Sequence, residues 1–149
     1  MDRAGSTRPS NWGRWGSQDE RGAANLVTNE VVARAASRVR AGRTYSLGLE
    51  IRRDAPLGGP RSPMQHFMAV DGGDFAALGR PDWGTADDYI VMATGGTTHV
   101  DGLCHMWYDG HLYNGFPYTE VRSSGASRCG IEKLGGLVTT GHLFDFVGR

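Results

Sequence analysis

The sequence predicts an α+β domain, a mixed fold with a β-rich centre. Three observations carry this: one segment has a helical period, several have a strand period, and glycine fills 23 of 149 positions without any repeat. Glycine at more than twice its usual share of about 7%, scattered rather than periodic, indicates many tight turns and excludes a collagen-like chain or a long linker. Strand-like segments outnumber helical ones.

Along the chain, residues 1–10 are polar and are expected to form a mobile tail ahead of a single domain over 11–149. Asn11 to Asn25 mixes Trp, Gly and charged residues in neither the helix nor the strand period, and so reads as an ordered loop or a tail. Thr28 is a helix cap. The expected helix runs from Asn29 to Ala41, with Val31, Val32, Ala35, Ala36 and Val39 on one side, and Gly42 closes it. Tyr45, Leu47, Leu49 and Ile51 then alternate with smaller or polar residues, the period of a half-buried strand over Thr44 to Ile51. A Pro/Gly-rich loop from Asp54 to Pro63 ends it. His66 to Val70 is a second expected strand, and Asp88 to Ala93 a third, more central one because its apolar run is nearly continuous. A turn-rich excursion containing Trp83 separates them. Ile131 to Leu134 allows one short helical turn, and His142 to Val147 reads as a last strand.

Composition bounds the function. At this length a globular chain buries about 68–70% of its unfolded surface, so a core forms without disulfide or metal staples. Sixteen basic and 16 acidic residues cancel to a net charge of zero, which leaves no electrostatic footprint for nucleic acid or an anionic membrane. No stretch approaches 18 uncharged apolar residues, and the start of the chain has no apolar leader segment, so a cytoplasmic protein is expected. Cys104 and Cys129 lack CxxC spacing and read as reduced thiols, which excludes a four-cysteine zinc site.

Chemistry concentrates in His-Val-Asp-Gly-Leu-Cys-His. In an extended segment the i, i+2 spacing turns the His99 imidazole and the Asp101 carboxylate to one side. That donor pair suits zinc, manganese or iron. Gly102 allows a turn that returns His105, either as a third ligand or as the proton carrier beside a metal. The same residues would equally serve as ordinary loop side chains. Trp107, Tyr108, Tyr113, Phe116 and Tyr118 form an aromatic group dense enough to wall an apolar pocket or to pack a core. His111, after the turn dipeptide Asp109-Gly110, is expected to face solvent, while His66 and His142 read as structural. Asp145 sits between Phe144 and Phe146, paired or on the exposed face of its strand. Arg14, Asp19 and Glu20 suggest only generic ion pairs. Ser123, Ser124 and Ser127 lack a GxSxG elbow, which argues against a serine nucleophile.

Several ordered segments together resemble the cyclase family, metal-dependent amidohydrolases that include bacterial kynurenine formamidase and isatin hydrolase. NWGRWGSQDERGAANLVTNEVV is similar to the family's entry segment and RTYSLGLEI to its first long strand. GGTTHVDGLCHMWYDGHLYNG is similar to its HxGTHxDxxxH signature and the YDG-x-x-YNG that follows. The resemblance implies a swivelling β/β/α fold, frequent dimers, and hydrolysis of small aryl formamides or cyclic amides. It implies metal ligation, by zinc or manganese, at His99 and Asp101, a catalytic role for His105, and a substrate pocket that includes Trp107, Tyr108 and Phe116. Two departures accompany it. Gly95 stands where the family has its first histidine ligand, and the family's later half, with a further His and an acidic ligand, has no counterpart here. The expectation is therefore a C-terminally shortened amidohydrolase, or alternatively an incomplete member that acts as a binding or assembly module.

Overall fold

The computed structural model of the chain describes residues 10–80 and 82–148. All of the expected tail except Ser10 lies outside them. The backbone divides into two compact units, one of Met1–Thr44 with Val100–Arg149 and one of Tyr45–His99.

In the first unit, tight turns at Asn11–Arg14 and Gly13–Gly16 lead into a 3-10 turn over Gly22–Leu26. Helix α1 follows at Asn29–Ala36. Thr28 caps it as expected, its hydroxyl oxygen accepting from the Val31 amide at 3.4 Å. The helix ends five residues before the expected Ala41. The Ser37 hydroxyl donates to the Arg34 carbonyl, and the next two amides bond three residues back rather than four. Side-chain competition for helical carbonyls of this kind weakens the last turn. No residue of α1 is buried, so its Val and Ala face is only partly covered.

The rest of this unit is loop and turn, with a two-residue hairpin of β3 (Val121–Arg122) and β4 (Gly125–Ala126) and a 3-10 turn at Ile131–Lys133, where one helical turn was expected. Among the described residues the buried apolar side chains are Ala24, Leu112 and Cys129, all in this unit. Leu112 is clamped by its own backbone, its amide donating to the Phe116 carbonyl at 2.7 Å and its carbonyl accepting from Gly115. The expected strand at His142–Val147 does not form. Asp145 instead accepts from the amides of Val147 and Gly148, a local turn that replaces ladder bonding.

The second unit is built on an antiparallel hairpin of β1 (Gln65–Val70) and β2 (Asp87–Val91). Gln65 faces Val91, Phe67 faces Tyr89, and the register slips between Met68 and Val70. The connection contains helix α2 at Gly72–Ala77, which periodicity missed. Its signal is the reciprocal cap in which Asp71 accepts from the Gly73 amide while Asp74 accepts from the Asp71 amide. Phe75 and Trp83 close the connection edge to face at 5.7 Å.

Two expectations are corrected here. The Asp87–Val91 strand is not central but one of two strands, and every residue in it is exposed. Thr44 to Ile51 makes no ladder. The Leu49 amide and carbonyl bond the hydroxyls of Thr98 and Thr97, side chains that take the place of a neighbouring strand. Tyr45, Leu47, Leu49 and Ile51 consequently stay exposed. No described helix is long and apolar enough to cross a membrane.

Candidate functional site

The signature segment begins at the end of the second unit. A 3-10 turn at Thr94–Gly96 precedes His99, whose Nδ1 lies 2.6 Å from the Thr97 carbonyl oxygen. A carbonyl oxygen only accepts, so Nδ1 carries the proton and Nε2 carries the lone pair of the neutral ring. Carbonyl-held imidazoles of this tautomer are the usual form of metal-ligating histidine.

The first unit carries the rest of the segment. The His105 amide donates to the Gly102 carbonyl at 2.9 Å, the return turn that the glycine was expected to allow. It brings His105 Nδ1 to 3.8 Å from Asp101 Oδ1, with both side chains about half exposed. Gly102 has a second reason to be glycine: a Cβ there would sit 2.8 Å from the Ile131 amide nitrogen.

The aromatic residues divide among several contacts. Trp107 stacks on Tyr118 at 5.8 Å between ring centres, Phe116 lies under the Arg128 guanidinium at 4.9 Å, and Tyr108 is largely exposed. His111 is half-buried rather than solvent-facing, because bridges to Tyr108 and Pro117 hold its backbone and its Nδ1 bonds the Asp109 carbonyl. His66 bonds Asp88 across the hairpin at 2.6 Å.

Sequence reasoning undervalued Asp19 and Glu20. Asp19 accepts from the amides of Arg21 and Gly22, from the Asn25 amide group and from the Tyr113 hydroxyl at 2.8 Å. Asn114, in the left-handed region at φ 61°, clamps the same segment: its side chain accepts from Gly13 and donates to the Gly16 and Asp19 carbonyls. Glu20 accepts from the Cys129 amide at 2.7 Å and pairs with Arg128. Burial pushes both carboxyls up, but these bonds outweigh it and hold them below their ordinary range. Burial, with the Asp19 bond, pushes the Tyr113 hydroxyl up to about 12. The spacing D-E-R-G-x-x-N is legible as a turn, but its partners lie roughly a hundred residues away.

Gly95, within the second unit, is covered by a cation. A Cβ there would meet the Arg61 guanidinium at 3.0 to 3.2 Å. Among the described residues, no group of three or more His, Cys, Asp or Glu is placed to hold a metal.

No family model and no curated protein matches the chain. Among solved structures, the crystal structure of a protein described as a novel cyclase matches with a TM-score of 0.79 at 41% identity, covering 85% of this chain and 45% of that one. That likeness supports the cyclase family. The chain thus spans less than half the length of the cyclase it matches. The cyclase match agrees with the mixed helix and small-sheet architecture.

Proposed function

We propose that the chain is a cyclase-like hydrolase of the C–N bond in a small aryl formamide or cyclic amide. His99 and Asp101 would hold a divalent zinc or manganese ion, and His105 would move protons. The observation that carries this is the His99 tautomer, fixed by the 2.6 Å bond to the Thr97 carbonyl, which fits an imidazole ligand. When bound, such an ion polarises an amide carbonyl and makes water a better nucleophile near neutral pH. His105 would take a proton from water and return it to the departing nitrogen, with the Asp101 carboxylate 3.8 Å from its Nδ1. Trp107 and Tyr108 present exposed rings that suit an aryl substrate.

The test is hydrolysis of an N-formyl aniline by zinc- or manganese-loaded protein. His105→Asn should lower turnover by about 10²–10⁴-fold with metal content unchanged. Unchanged turnover removes His105 from the mechanism.

A second reading, assembly as a homodimer, is favoured by the second unit. Among its described residues none is a buried hydrophobic, and Phe67, Met68, Tyr89, Ile90 and Val91 of the hairpin are at least half exposed. An isolated two-stranded hairpin is marginal in water, and a second copy of this chain would cover these faces. Sedimentation should give a dimer; a monomer at all concentrations overturns this reading.

A further inference from the structure

Cys104 and Cys129, 25 residues apart in the sequence, are brought together in the first unit. The Cys104 amide donates to the Cys129 carbonyl at 3.0 Å. That bond puts the two backbones in direct contact, as a disulfide requires, since a disulfide joins Cα atoms about 4.4–6.8 Å apart. Both sides of the pair are anchored. The Cys129 amide donates to the Glu20 carboxylate at 2.7 Å, and Gly102 lies so close to the 129–131 backbone that a Cβ would not fit between them. Cys129 is fully buried, at φ 58°, a left-handed conformation that costs a non-glycine residue roughly 1 kcal/mol or more. Cys104 is partly exposed.

We propose that this pair is an oxidation site at which Cys104 and Cys129 close an intramolecular disulfide when the protein meets a hydroperoxide. The order of events follows from exposure. The Cys104 thiolate attacks the distal oxygen of the peroxide, the O–O bond breaks, and Cys104 becomes a sulfenic acid with release of water or the corresponding alcohol. The Cys129 sulfur then attacks the Cys104 sulfur, the S–O bond breaks, and water leaves. Two thiols lose two electrons and two protons, and the peroxide takes them up. Cys129 is the slow partner. Burial, then Glu20 and Cys104, push its thiol up to about 11, so it reacts after Cys104 and not with the peroxide directly. The resulting bridge encloses the segment that carries His105, Trp107, Tyr108 and Phe116, and ties its first turn to the loop held by Glu20.

The experiment is treatment of the full chain with hydrogen peroxide, followed by intact mass measurement and non-reducing peptide mapping. The expected product is a monomeric chain lighter by about 2 Da, with one cross-linked peptide pair containing Cys104 and Cys129, reversed by dithiothreitol. Cys129→Ser should instead gain oxygen at residue 104, while Cys104→Ser should leave Cys129 unreacted in the folded protein. Wild-type protein that gains oxygen without losing the two hydrogens, or that cross-links only between chains, overturns the proposal. The outcome is independent of the hydrolase reading, because neither metal nor substrate enters it.

Discussion

Removing the Asp19 carboxylate should loosen the first unit, because this one group ties the 19–25 turn to Tyr113. Asp19→Ala strands the Gly22 amide and the Tyr113 hydroxyl, which lose bonds of 2.9 and 2.8 Å, and also removes a longer 3.4 Å bond from the Arg21 amide. Asn25 keeps a partner, since it also donates to the Gly22 carbonyl at 3.0 Å. A hydrogen bond to a charged acceptor contributes about 1.5–3 kcal/mol, so two give about 3–6 kcal/mol as an upper bound. Asp19 is only half-buried, and water can reach the vacated place. The expected loss is therefore about 2–3 kcal/mol. Urea unfolding followed by tryptophan fluorescence measures it, since Trp12 and Trp15 lie on the clamped segment. Combining Asp19→Ala with Tyr113→Phe should give a coupling of about 1 kcal/mol, as expected for groups in direct contact. A loss below about 0.5 kcal/mol, with strictly additive single changes, would refute the clamp.

The same network sets the pH range of stability. Asp19 and Glu20 are held below their ordinary range, so their contribution is complete above about pH 4–5 and is lost as pH falls through that range and below it. Tyr113 at about 12 and Cys129 at about 11 are raised, so their contribution is complete below about pH 9 and is lost as pH rises toward those values. Thermal unfolding across pH should show both declines, and a flat profile from pH 3 to pH 11 would contradict the assignment. At Gly95, an introduced imidazole must displace the Arg61 guanidinium. Gly95→His with Arg61→Ala should therefore bind zinc about 10–100-fold more tightly than Gly95→His alone. Equal affinities by calorimetry would mean that Arg61 does not oppose the ligand.

Local signals in the sequence were legible where the partner was local. The Thr28 cap, the hairpin strands at 65–70 and 87–91 and the Ile131 turn all stand at or within a residue or two of their expected places. Period-two alternation at Tyr45–Ile51 describes a face and not a partner, and there the bonding went to threonine hydroxyls. At His142–Val147 the Asp145 carboxylate competed successfully for the backbone amides. Helix α2 is too short for periodicity, and only its Asp71–Asp74 cap announces it. Around the candidate site, Gly102 and the return of His105 were readable from the turn. The links from Asp19 to Tyr113 and from Glu20 to Cys129 were not, because nothing in either segment names a partner about a hundred residues distant.

The claim that His-x-Asp at 99–101 carries the metal is tested most directly by metal content. Purified chain loaded with zinc or manganese and dialysed should retain stoichiometric metal by elemental analysis, and His99→Ala should retain none. A variant that keeps the full metal content of the parent would contradict the account.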